Sequence, residues 1–193
     1  DELQGLDYTA LQKYPVCVNV GGIVIEDQIA LTGDPTDPNT PLMAILSRPS
    51  KTKPKDRLNL WLTSLIAQVA FEQPITGVSV HLEKNLKLHD LHDAHGQLQR
   101  IIDLYTLGLT QALPLDAELG QELLKVDAKD TEKRQGKWQK KWYHHKHSQA
   151  FDFSNDPYRR WLWPETPEFD HWHEQIAQVY QPMVDSIAEV KHA

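Results

Sequence analysis

Asp34, Asp37, Glu83, Lys84, Asn85 and Lys87 include the residue types from which a magnesium-dependent phosphodiesterase site is built. Such a site needs one acid after a strand and an acid-x-lysine pair on the next, because side chains two apart share a strand face and can reach one metal ion. The spacing breaks that pattern. At the required offset Glu83 is followed by Asn85, and Lys84 projects to the opposite face. Asp34 and Asp37 sit in GDPTDP, where acids beside prolines serve turns. No catalytic residue is expected. The alternative reading is a stand-alone magnesium nuclease with a migrated site built from Asp34, Glu83 and Lys87.

Ten histidines invite a metal reading, with groups at His89, His92 and His95 and at His144, His145 and His147. Neither group has the HExxH helix pattern, and the single cysteine, Cys17, offers no thiolate cluster. His89, His92 and Asp93 could share a helix face and hold zinc, but first-turn side chains are ordinarily solvated, so no metal is expected. His171 and His173 flank Trp172, which is expected to be buried. There is no GxxxxGK[ST], GxGxxG or GxSxG motif, and Gly21-Gly22 reads as a hairpin turn. Neither a nucleotide cofactor nor acyl-transfer chemistry is expected.

One stretch joins charge to aromatic surface. Lys133 to Lys146 reads KRQGKWQKKWYHHK, with six lysines and arginines, three aromatics and no acid, in a chain of net charge -7. Interleaved cations and aromatics attract phosphates and present planes on which bases stack. Lys133, Arg134, Lys137, Trp138, Lys140, Lys141 and Trp142 are therefore the candidate contacts for DNA or a partner protein. On a helix, Arg134, Trp138 and Trp142 fall on one stripe. The plainer reading, preferred over direct DNA contact, turns both tryptophans into the core and leaves the lysines solvated. A tryptophan pair facing a partner is a third.

The elements that would position these residues can be read from periodicity. A length of 193 residues suits one compact domain, strand-rich with one helix over 1–88 and mainly helical over 89–193. Short strands are expected at Val16–Val20, Ile23–Ile25, Gln28–Leu31, Met43–Leu46 and Ile75–Leu82, with Glu26-Asp27 breaking the second run from the third. After Pro54, the spacing of Leu58, Trp61, Leu62, Leu65, Ile66 and Val69 predicts a helix lying across the sheet. Asp90 is the expected cap of a second helix that Pro114 ends, and Thr166-Pro167-Glu168 opens a third that reaches Ile187, kinked or shortened at Pro182. Ala117–Lys125 and Glu132–Tyr143 are helix-permissive, and Asp152–Pro157 is turn-rich. The fold class is α/β (α+β), a small mixed sheet flanked by helices. No apolar run approaches the roughly 20 residues of a membrane-spanning helix. The lone cysteine and the absence of a leader point to the cytoplasm, and the start at Asp1 points to a fragment of a longer chain.

Taken in order, RLNLWLTSLIAQVA (57–70), QLQRIIDLYTLGLTQALPL (97–115), EKRQGKWQ, NDPYRRWLW and FDHWHEQIAQVYQPMV resemble the C-terminal domain of RecC, the gamma subunit of bacterial exonuclease V, the RecBCD helicase-nuclease. The resemblance fades between Asp116 and Thr131. It implies a restriction-endonuclease-like fold that has lost its active site, not an enzyme by itself, within the ATP-dependent exodeoxyribonuclease complex. It further implies a role in assembly with RecB and RecD and in guiding DNA strands during double-strand break repair and recombination. Residues that read the Chi sequence lie upstream in that family and map to nothing in this chain. A free DNA-binding module is a further alternative.

Overall fold

The computed structural model describes residues 11–142 and 157–191, without the side chains of 159 and 160. Among the described residues six strands form one sheet in chain order: β1 (Gln12–Val20), β2 (Ile23–Thr32), β3 (Leu42–Ser47), β4 (Ile75–Val80), β5 (Lys84–Leu88) and β6 (Ile187–Lys191). Every neighbouring pair is antiparallel except β3 and β4, which run parallel through the helix α1 (Pro54–Phe71). The other helices among the described residues are α2 (Ala94–Gly108), α3 (Ala117–Leu124), α4 (Thr131–Trp142), α5 (Pro157–Leu162) and α6 (Phe169–Ser186). The expected α/β class with a small mixed sheet is therefore what the chain adopts. It forms two compact units, one running to Thr106 and resuming at Pro182, the other holding Leu107–Gln181.

The first unit is built on the sheet. β1 and β2 form a ribbon that turns at Gly21 and Gly22, whose φ values of 59° and 79° are open to glycine at little cost. Val16, Val18 and Val20 alternate with exposed Pro15, Cys17 and Asn19, so one face of β1 is buried and the other is wet. Glu26-Asp27 does not interrupt β2. Both side chains are exposed, and the backbone stays paired with Cys17 and Val16, so the charges cost the strand little.

α1 lies against β1, β3, β4 and β5 with Leu60, Trp61, Leu65 and Ala67 buried. Its close approach depends on Gly77 of β4. A Cβ there would lie 2.8 Å from Ser64 Oγ and 3.0 Å from Leu60 Cδ1. Ser64 is fully buried, and its hydroxyl finds no partner among the described residues. At the start of α1, Asp56 accepts from the Lys53 backbone N–H at 2.7 Å and from the Arg48 guanidinium at 2.7 Å. The crossover from β3 to β4 is thus pinned where it enters the helix.

α2 adds the buried stripe Ala94, Leu98 and Ile102, the last two packing with Val18 and Val20. Trp61 Nε1 donates to Gln97 Oε1 at 3.2 Å and ties α2 to α1. The cap is Asp93 rather than Asp90: its Oδ1 accepts from the Gly96 N–H at 3.2 Å, and a Cβ on Gly96 would strike that carboxylate at 2.3 Å. α2 also ends at Gly108, ahead of Pro114, leaving Tyr105 and Leu109 exposed.

The C-terminal expectation needs correcting at both ends. α6 begins at Phe169, because Pro167 is buried outside the helix with its carbonyl engaged, and it passes through Pro182 to stop at Ser186. Ile187 then opens β6 opposite Leu88, and the His89 N–H donates to Ser186 O at 2.8 Å. The apolar spacing that runs on to Ile187 looks helical, yet a distant strand edge claims it.

These contacts set two outcomes. Gly77→Val should lower stability by about 1–3 kcal/mol through overpacking of α1, whereas Ser64→Ala, which removes an unsatisfied hydroxyl, should be neutral or stabilising in urea unfolding. Burial works to raise the Asp56 pKa, but the Lys53 N–H and Arg48 outweigh it and hold the carboxyl below its ordinary value. A carboxyl lowered by folding contributes stability above its unfolded pKa of about 3.9, lost as pH falls through the folded value. Asp56→Asn should therefore be less stable at pH 7 and lose less stability than the parent on acidification below about pH 4.

Candidate nucleic-acid or partner interface

The described part of the basic stretch, Lys133 to Trp142, folds as expected into a helix, and the second unit shows what most of these residues do. α3 is capped by Asp116, whose Oδ1 accepts from the Glu118 and Leu119 N–H groups at 2.9 Å each. Leu119 and Leu123 are buried, and α3 packs beside α4. Gly120 allows Tyr180 of α6 to lie flat on α3, since a Cβ would meet the ring at 2.3 Å. Burial, reinforced by the Asp116 carboxylate, pushes the Tyr180 phenol well above its ordinary pKa, so it stays protonated.

Trp138 is fully buried and donates Nε1–H to the Pro167 carbonyl at 2.7 Å. Its ring lies 5.7 Å from Trp142 and 6.1 Å from Phe169, while Trp142 meets Trp163 edge-on at 5.4 Å. Phe169 in turn stacks on His173 at 5.0 Å. This aromatic row holds α4 against the segment leading into α6. Trp172 is half-buried, and His171 meets it edge-on at 4.9 Å.

Three cations of the stretch are committed as well. Arg134 donates Nε and Nη2 to the Val126 carbonyl at 3.1 and 2.8 Å. Lys137 pairs with Glu122 at 3.2 Å and Lys141 with Glu118 at 2.9 Å. The Lys125 hydrogen bond, followed by Lys137 and opposed by burial, holds the Glu122 carboxyl below its ordinary pKa. Lys133 and Lys140 remain outward and exposed. Tyr143, His144, His145, Lys146 and His147 lie outside the described residues, as does most of the Asp152–Pro157 turn.

The residues weighed for a metal nuclease are placed apart from one another's chemistry. Asp34 Oδ1 accepts from Thr36 N and Oγ1 at 2.8 and 2.7 Å, and Asp37 makes similar bonds to Asn39 and Thr40. Both carboxyls are held below their ordinary pKa, Asp34 chiefly by the Thr36 hydroxyl and Asp37 by that of Thr40. Glu83 pairs with Lys51 at 2.6 Å. Lys84 and Arg57 both grip Glu189 of β6, and the Lys84 hydrogen bond leads in holding that carboxyl below its ordinary pKa. Asn85, buried, accepts from the His81 N–H at 3.0 Å and closes the turn between β4 and β5. His81 is buried too, with Nε2 2.8 Å from Ser79 Oγ. Ser79 and His81 have no motif spacing, so nothing in the sequence joins them to Asn85. His89, His92 and His95 are exposed, and no three metal-ligating side chains converge among the described residues.

The family model of the RecC C-terminal domain matches residues 2–128. The chain belongs to the RecC C-terminal domain family. Membership ties it to the RecC subunit of the RecBCD complex and to DNA repair. The matched residues run from the sheet through α3 and stop short of α4, so the RecC likeness of EKRQGKWQ and the later motifs lies beyond them. No curated protein matches the chain. Among the described residues, no helix is long and apolar enough to cross a membrane.

The two roles of α4 can be separated by stability. Trp138→Ala should cost about 3–5 kcal/mol in thermal or urea unfolding, while Lys133→Gln and Lys140→Gln should each stay within roughly 0.5 kcal/mol of the parent.

Proposed function

We propose that this chain is a non-catalytic module of RecC that supports assembly with RecB and RecD and helps line the path of the DNA strands. The observation that carries the reading is the use made of the would-be nuclease positions. Asn85 closes a turn, Lys84 binds β6 and Glu83 pairs with Lys51, so the positions such a site would use are engaged in other contacts. A restriction-endonuclease-like ancestry would account for such a scaffold without its chemistry. Family membership supplies the complex in which the module acts.

On this reading the DNA-facing charge of α4 is Lys133 and Lys140, since Arg134, Lys137 and Lys141 serve internal contacts. The work is done in the cytoplasm, without a cofactor in this segment.

Co-purification of RecB and RecD with RecC, with and without this segment, tests the assembly role. Loss of subunit recovery or of DNA unwinding on deletion is expected, and an unchanged complex with unchanged unwinding would overturn the proposal. Incubation of the chain with magnesium and single- or double-stranded DNA should leave the DNA intact. Cleavage that requires the metal and disappears in Glu83→Ala would establish the nuclease instead.

A further inference from the structure

We infer that α5 presents a stacking platform for single-stranded DNA, with Trp161 as its principal plane and Tyr158 as the second. Trp161 is 80% exposed and Tyr158 78% exposed, far more than an aromatic ring retains when its role is to fill a core. Three residues apart on a helix, they share a face, and Leu162, also exposed, extends it. The surrounding aromatics behave differently. Trp138, Trp142 and Trp163 are packed ring against ring, so Trp161 stands out from a segment whose other tryptophans are engaged.

Charge identifies the occupant. α4 turns Lys133 and Lys140 outward, and the sequence from 157 to 163 adds Arg159 and Arg160, between Tyr158 and Trp161, without an acid, in a chain whose net charge is -7. The Trp142–Trp163 contact seats the end of α5 beside the last turn of α4, which bears the outward Lys140. A polyanion with accessible flat rings suits a basic segment that carries an exposed tryptophan, and bases are free to stack on protein only where the strand is unpaired. Duplex DNA would use the charge and leave the rings idle.

This inference rests on the DNA-lining role proposed above, and the test separates the two. The full chain is titrated into a fluorescein-labelled oligothymidylate and, separately, into a labelled duplex of equal length, with anisotropy as the readout. Trp161→Ala should weaken oligothymidylate binding by about tenfold, leave the duplex affinity unchanged, and be largely rescued by Trp161→Phe. Because the side chain is exposed, the circular dichroism spectrum and unfolding midpoint should not move. A double Lys133→Gln, Lys140→Gln variant should weaken both ligands and flatten the salt dependence. If Trp161→Ala binds oligothymidylate like the parent while the lysine variant is impaired, the stacking platform is overturned and the DNA role stands. If neither changes binding, both fall. If Trp161→Ala instead loses recovery of RecB or RecD with unaltered DNA affinity, the face is a protein interface and the inference is wrong.

Discussion

Gly77 has no side chain, and on that void rests the approach of α1 to the centre of the sheet. With the Leu60 and Ser64 turn lying on β4, the helix buries Trp61, and Trp61 in turn holds Gln97 and so fixes α2 over the β1–β2 ribbon. The parallel pairing of β3 with β4 needs a crossover that returns the chain in the same direction, and α1 supplies it. Asp56 secures the entry to that crossover with two hydrogen bonds. Removing the void would disturb more than one contact, since α1 is the element that β1, β3, β4 and β5 share.

This frame explains how a sheet of this kind can hold charged residues at suggestive positions without chemistry. Lys84 and Arg57 of α1 both pair with Glu189, so together they clamp β6 to the sheet. Asn85, on the other face, satisfies the His81 N–H in the preceding turn, which burial would otherwise leave at a cost of roughly 1–3 kcal/mol. A lysine at that position could not accept the bond. The residue that breaks the acid-x-lysine pattern is thus the one the turn requires, which gives a structural reason for its presence independent of any lost activity.

What the sequence made legible were features carried by local periodicity. Alternation in Val16–Val20 and Ile75–Leu82 marked strands, the second stopping at Val80 with Leu82 exposed, and the spacing from Leu58 to Val69 marked α1. What it hid depends on distant partners. Ile187 continues a helical stripe, and only Leu88, nearly a hundred residues earlier, draws it into β6. Asp90 and Asp93 are equally able to cap, and the choice falls on the one followed three residues later by Gly96. For α4, the spacing put Arg134, Trp138 and Trp142 on one stripe but could not say which way it faced. Pro167, which accepts the Trp138 hydrogen, lies 29 residues away.

The direction of that stripe changes how the charge of the stretch must be counted. A helix with lysines all around it appears to offer five cations, but a lysine paired with an acid contributes little field beyond the pair, and an arginine donating to a carbonyl is fixed in place. Glu118, Glu122 and the Val126 carbonyl absorb Lys141, Lys137 and Arg134 in this way. The outward positive charge of α4 then comes from Lys133 and Lys140, too few to bind a phosphate chain tightly without help. Help within the same unit comes from the sequence Tyr158-Arg159-Arg160-Trp161, whose aromatic rings are exposed and whose helix ends beside α4. In the DNA-lining role proposed above, modest charge joined to stacking surface would favour a weak, sequence-tolerant grip through which a strand can keep moving, which suits a passage better than an anchor.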